Sequence, residues 1–146
     1  MRGFYQKTPL SLEAARTKLL PRIRGADPTL MHIASVDGRP FGHVQSYFIM
    51  ETPTYAEEIG VSEGVGMDYF IGEPDLIGRG LGHAMLAAYL RDVLFPAFPN
   101  ERRCIVCYET ANEASGGVLR SLGFRREKAL IESGVPSTLM ILDRPR

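Results

Sequence analysis

The sequence has no excess of charge of either sign: lysine and arginine together number 17, and aspartate and glutamate also number 17. A chain without a global positive field is a poor holder of nucleic acid, and no basic run suggests a membrane surface. Selectivity for a charged partner must then come from local groups. Long apolar runs are missing as well, and none approaches the roughly 20 residues that span a bilayer. Arg2 and Lys7 near the N-terminus are followed by no apolar stretch of the kind a secretion signal needs. The expectation is a cytoplasmic protein with no nucleic-acid or membrane partner.

Cysteine occurs twice, as Cys104 and Cys107, in C-x-x-C spacing. Such a pair can be a redox couple, half of a zinc site, or two small core residues. Cys104-Ile105-Val106-Cys107-Tyr108 has the composition of a strand, on which side chains three apart point to opposite faces. No second pair completes a metal site. Two core residues, and no metal, are therefore expected.

What is present is an ordinary globular composition, with 45% apolar residues in a chain of 146. That length predicts a single domain over 1–146 with a buried core. Ser11 to about Leu20 reads as a helix capped by Ser11 and stopped by Pro21. Met31–Val36 and Phe41–Met50 read as strands around Asp37-Gly38, a type I′ hairpin signal. Thr52–Gly64 reads as a surface loop or short helix, and Gly66–Gly72 as a short apolar strand interrupted only by Asp68. Leu81–Phe95 has helical apolar spacing, and Pro96 is expected to end that helix. Arg103–Tyr108 is a strand and Ala114–Leu122 a helix with Gly123 at its C-terminal cap. Phe124–Ile131 and Ser137–Leu142 are closing strands. The order α-ββ-β-α-β-α-ββ predicts a mixed central sheet with helices on both faces, an α/β or α+β fold.

The most informative stretch is the one between the Asp68 strand and the long helix: Ile77-Gly78-Arg79-Gly80-Leu81-Gly82-His83. Glycines let a backbone turn sharply so that successive N–H groups converge on an anion. The helix start adds free N–H groups and the positive end of its dipole, and Arg79 can add a charge. The stretch lacks the Lys-Ser/Thr of a P-loop and the G-x-G-x-x-G of a dinucleotide site. A pyrophosphate cradle and a plain glycine-rich turn before a helix both fit it.

These residues resemble the GNAT acetyltransferase superfamily, whose motif Gln/Arg-x-x-Gly-x-Gly/Ala joins a strand to a helix. Gly80 and Gly82 match it, and Ile77 replaces the Gln or Arg. Strand Cys104–Tyr108, then Asn112, then a helix ending at Gly123-Phe124, is similar to a second family element. Within the superfamily the chain looks like the aminoglycoside 6′-N-acetyltransferases and their siderophore-acetylating relatives. The residues that carry this are Gly42–Tyr47, Tyr55–Glu58, Val65–Asp68, Gly78–Gly82, Asn112 and Leu122–Phe124.

The resemblance implies acetyl transfer from acetyl-CoA to a primary amine, by direct attack in a ternary complex. It implies cofactor contacts along Tyr69, Phe70 and Ile71, in the cradle Ile77, Gly78, Arg79, Gly80, Leu81, Gly82 and His83, and at Asn112 and Ser115. Asp68 is the expected base. It is the one carboxylate in an apolar strand beside the cradle, where partial desolvation would raise its pKa and an ammonium would be attracted. From the residues alone, a strand Asp turned to water or paired with Arg fits as well. Tyr47, Glu57, Glu58 and Asp68 are the expected contacts of a small cationic acceptor. For Tyr47 the alternative is a core residue, and for the two glutamates a solvated surface.

Three departures from the family stand out. Its first strand and first helix precede anything present here, so Met1 falls near its second helix. Its general-acid Tyr falls at Leu119, which leaves Tyr108 or water for that task. Its acceptor contacts are only partly kept, with Tyr55-Ala56 where the family has a Trp pair. A siderophore-type hydroxylysine, a polyamine or a protein N-terminus are alternative acceptors, and a CoA-binding module without catalysis is the alternative function. An uncovered sheet edge would allow a monomer or a homodimer.

Overall fold

The computed structural model describes Glu13, residues 28–76 and residues 78–146. The helix predicted over Ser11 to Leu20 lies outside these residues, apart from the helical Glu13. The described strands are β1 (Leu30–Val36), β2 (Arg39–Phe48), β3 (Val65–Ile71), β4 (Arg103–Glu109), β5 (Arg125–Glu132) and β6 (Val135–Asp143). They form one sheet in the order β1-β2-β3-β4-β6-β5. Every neighbouring pair is antiparallel except β3 with β4, which is parallel. The mixed sheet is thus the predicted one.

Local sequence explains most of the boundaries. Asp37 and Gly38 have φ of 49° and 78°, the two left-handed residues that a type I′ turn needs. β2 begins and ends two residues before the predicted limits. Its end passes into a 3₁₀ turn, Ile49–Glu51, which Thr52 closes by donating to the Ile49 carbonyl. A short helix α1 (Pro53–Ile59) follows, with Pro53 at its first position and Gly60 in the left-handed region after it. Helix α2 (Leu81–Tyr89) continues as a π turn, Leu90–Leu94, and a last turn, Phe95–Ala97.

Pro96 was expected to stop the helix and instead sits inside that last turn. Phe95 closes the π turn with its N–H on the Leu90 carbonyl, and Pro96 takes an early position of the last turn, where a residue without an N–H is tolerated. Arg144 then closes the end. Its guanidinium donates to the carbonyls of Phe95, Phe98 and Glu101 and lies 4.8 Å from the centre of the Phe95 ring. Helix α3 (Glu113–Ser121) is capped by Asn112, whose Oδ1 accepts from the Ser115 N–H at 3.2 Å, and is followed by Gly123 at φ 96°.

The core has two layers, one on each side of the sheet. Helices α2 and α3 bury Met85, Leu86, Leu94 and Leu119 against Val44, Met67, Cys104 and Val106. On the other side, Tyr47, Ile49, Ile59, Ile105 and Leu139 pack with Tyr55 and Cys107 under α1. The cysteines therefore do face opposite sides of β4, as strand alternation predicts. Both are free thiols. No group of three His, Cys, Asp or Glu residues among the described residues could hold a metal ion.

Candidate active site

β3 and β4 pair only at Val65 with Cys104 and at Gly66 with Ile105. Beyond these residues β3 stays on β2 as far as Ile71, while β4 stays on β6 as far as Glu109. The two strands therefore diverge, and a cavity of about 580 Å³ opens between them. Successive strand residues face opposite layers, yet Met67, Asp68 and Tyr69 from β3 and Val106, Cys107 and Tyr108 from β4 all line it. The cavity is a slot through the sheet, open to both layers.

On the α1 side the slot is acidic and finely held. Gln45 lies opposite Asp68 on β2 and donates from Nε2 to Oδ2 at 2.9 Å. The Tyr47 hydroxyl donates to Oδ1 at 3.3 Å. Tyr47 fits there because its partner across the strands is Gly66. A Cβ on Gly66 would lie 2.3 Å from Tyr47 Cε2 and 2.9 Å from its hydroxyl. Tyr55 is hydrogen-bonded to Tyr47, and burial beside Asp68 holds both phenols well above their ordinary pKa. Glu132, the last residue of β5, enters the cavity with its carboxylate accepting from the Cys107 thiol. Burial raises the pKa of Glu132, and Asp68 and Glu58 raise it further.

Gly66→Ala therefore tests the packing that aims Tyr47 at Asp68. The added methyl cannot fit without moving a buried ring, and overpacking of this kind costs roughly 1–3 kcal/mol. Urea unfolding should show a loss of that size.

On the α3 side, Tyr69 and Ser115 share a hydrogen bond between hydroxyls. Burial pushes the Tyr69 phenol up to about 12, a rise that the bond to Ser115 opposes. Asn112 and Ser115 line the slot at the capped start of α3. The Tyr108 ring lies against Gly116 one turn into that helix.

The glycine stretch sits at the start of α2, on the same layer as α3. Gly78 and Gly80 have φ of 81° and 75° and are exposed, and a Cβ at either would meet no heavy atom within 4 Å. Gly80 is the N-cap, so the first N–H groups of α2 have no side-chain cap. Gly82 faces Ile71 and Val118, at 3.7 and 3.8 Å from its would-be Cβ. Arg39 ties down the approach to this turn, donating to Asp75 at 2.9 and 3.1 Å and to Glu73 at 3.0 Å. Left-handed glycines, open space and uncapped N–H groups fit a pyrophosphate.

The structure thus brings Tyr47, Asp68, Tyr69, Asn112 and Ser115 to one cavity. Glycines 78 to 82, with the exposed Arg79 and the half-buried Leu81, form the turn at α2. Ile77 lies outside the described residues. Other expected contacts fall elsewhere. Phe70 does not line the slot; its ring lies 5.1 Å from that of His43. His83 is turned to α3, where its Nδ1 and Ser121 Oγ are 2.7 Å apart. Leu119 is fully buried in the core. Glu57 and Glu58 are both exposed and do not line the cavity. Glu58 instead accepts from the Ser133 N–H and docks α1 on the β5–β6 turn.

Comparison with known proteins decides the family. The family model of an acetyltransferase (GNAT) domain matches residues 3–131. This chain belongs to the GNAT family. The aminoglycoside N(6')-acetyltransferases type 1 of Klebsiella pneumoniae and Serratia marcescens are each 26% identical to this GNAT chain over 145 residues. The match covers 92% of the chain and 66% of each relative, so the chain spans just under two thirds of their length. The fold matches the structure of AAC(6')-Ib in complex with ribostamycin and coenzyme A. The TM-score is 0.74 at 20% identity, over 97% of this chain and 78% of that one. It also matches an aminoglycoside N(6')acetyltransferase from Legionella pneumophila, with TM-score 0.66 at 24% identity, over 90% and 73% of the two chains.

Proposed function

We propose that this chain transfers an acetyl group from acetyl-CoA to a primary amine of a small cationic acceptor, by direct attack while both are bound, in the cytoplasm. The observation that carries this reading is the slot through the sheet. It joins a held carboxylate on one side to the layer of the glycine turn on the other. An acceptor and a donor arriving from opposite faces would meet there without competing for space.

Acetyl-CoA, when bound, supplies a thioester carbonyl as the electrophile. The α2 start, with Gly78 and Gly80, is suited to its pyrophosphate. The edge of β3 beyond Gly66, which β4 leaves, is suited to backbone contacts with an extended arm. Asp68 attracts the ammonium and takes its proton, because only a neutral amine attacks. Gln45 and Tyr47 each hold one of its oxygens, which fixes the carboxylate for that task. An N–H of the β3 edge can stabilise the charge developing on the carbonyl oxygen.

The acidic α1 side supports a cationic acceptor, with Asp68 and Glu132 in the cavity and Glu58 close to Glu132. The names of the relatives make an aminoglycoside the first acceptor to try. Acetyl-CoA at about 100 times its dissociation constant should stabilise the fold by roughly 2.7 kcal/mol in a thermal melt. Thiol release should then follow addition of a cationic amine and not of a neutral or anionic one. No melt shift defeats the reading outright. A shift with no thiol release from any amine reduces the protein to a CoA-binding module.

A further inference from the structure

Arg39 opens β2 directly after the Asp37-Gly38 turn, and its side chain reaches across to the segment that leads from β3 into α2. It donates from Nη1 and Nη2 to the two oxygens of Asp75, at 3.1 and 2.9 Å, and from Nη2 to Glu73 at 3.0 Å. One guanidinium thus engages both carboxylates of this segment. The path of the segment is anchored by other groups. The Gly72 N–H donates to the Phe41 carbonyl at 2.8 Å, and Leu76 is buried in the core. Exposed ion pairs contribute little to stability, so holding the chain in place is a weak reason for this cluster.

Its effect on charge is the stronger reason. Glu73 and Asp75 precede Gly78, the first left-handed glycine of the turn, by five and three residues. Between Gly72 and Gly80 the one opposing charge is Arg79, which leaves this segment net negative just before a site suited to an anion. Arg39 cancels the remainder from outside the segment. Its hydrogen bond is the main cause that holds the Asp75 carboxyl below its ordinary pKa, and Arg79 adds to this from the turn. Asp75 is therefore within electrostatic reach of Arg79. Without Arg39, it would compete with a bound phosphate for that charge.

Given the glycine turn as the pyrophosphate site, on which this rests, we propose that Arg39 is a positioning residue for the cofactor. It neutralises Glu73 and Asp75 and keeps them paired, which leaves Arg79 and the uncapped N–H groups of α2 to the phosphates. Arg39 acts through the two carboxylates and needs no contact with the cofactor. An acidic approach to the turn is in this way made compatible with an anionic ligand.

Calorimetry with CoA tests this. Arg39→Gln should weaken binding roughly fivefold to tenfold in dilute buffer, and the loss should shrink as salt is added. Arg39→Lys, which keeps the charge, should keep most of the affinity. In turnover, Arg39→Gln should raise KM for acetyl-CoA by the same factor with kcat unchanged, the pattern of lost binding. The decisive variant adds Glu73→Gln and Asp75→Asn to Arg39→Gln. With no carboxylate left to neutralise, this triple variant should recover wild-type affinity, although it has lost every ion pair of the cluster. A purely structural role for Arg39 predicts no such recovery. Wild-type protein that binds CoA, with Arg39→Gln within twofold of it, overturns the assignment and leaves the cofactor site standing. A triple variant that binds as weakly as Arg39→Gln overturns it too. Wild-type protein that binds no CoA overturns both.

Discussion

Asp68→Asn should leave acetyl-CoA binding intact and slow acetylation of the best amine by about 10²- to 10⁴-fold, the usual effect of removing a positioned base. Asparagine has the same shape but cannot accept a proton at neutral pH. It also breaks the local pattern of donors. Gln45 Nε2 and the Tyr47 hydroxyl both donate to the Asp68 carboxylate, one to each oxygen. An amide has only one oxygen, so one donor must face an NH₂ group. The ground-state cost is local, because Asp68 is half-buried, and the melt without ligand reports it separately from acetyl-CoA binding. The comparison is therefore between kcat on the amine and the dissociation constant for acetyl-CoA. Wild-type turnover in Asp68→Asn would assign the proton to bulk solvent or to another carboxylate, and Glu132 would be the next residue to replace.

Much of the frame was legible because it is local. The Asp37-Gly38 hairpin, the alternation that sends Cys104 and Cys107 to opposite layers, and the Asn112 cap each depend on a few adjacent residues. Asp68 was legible as a carboxylate in an apolar strand. The slot was not, because it depends on β4 lying parallel to β3 for only two paired positions, a contact between segments about 40 residues apart. Glu132 ends a strand whose residues are mostly exposed, so the sequence gives no reason to separate it from a solvated glutamate. Only the β5–β6 pairing and the Cys107 thiol bring it in. Glu57 and Glu58 are the opposite case, exposed and outside the lining of the cavity. They lie in the right segment, but their helix packs through Tyr55, Ala56 and Ile59 and turns both glutamates outward. Gly66 and Gly116 look like weak points of a strand and a helix until the rings of Tyr47 and Tyr108 are seen against them.

Gly80→Asp should sharply reduce the thermal shift with acetyl-CoA, and Gly80→Asn should keep most of it. The pair separates charge from shape. Gly80 has φ 75°, where a side chain is strained, but Asn and Asp are the residues that best tolerate the left-handed region. A Cβ there meets no heavy atom within 4 Å, so neither substitution clashes with the fold. Both variants carry the same backbone cost, roughly 1–2 kcal/mol, visible in the melt without ligand. Only Asp adds a negative charge at the N-cap of α2, where the proposed pyrophosphate would sit. Two like unit charges about 4 Å apart repel by about 1 kcal/mol in water and about 4 kcal/mol at a protein surface. At about 1.4 kcal/mol per decade, that is a loss of roughly 5- to 10³-fold in affinity. The loss should shrink as salt is added, since the screening length is about 8 Å at physiological ionic strength. An Asn variant that fails as completely as Asp would mean that the turn needs glycine for its shape alone. An Asp variant that binds acetyl-CoA like wild type would remove the pyrophosphate from the start of α2.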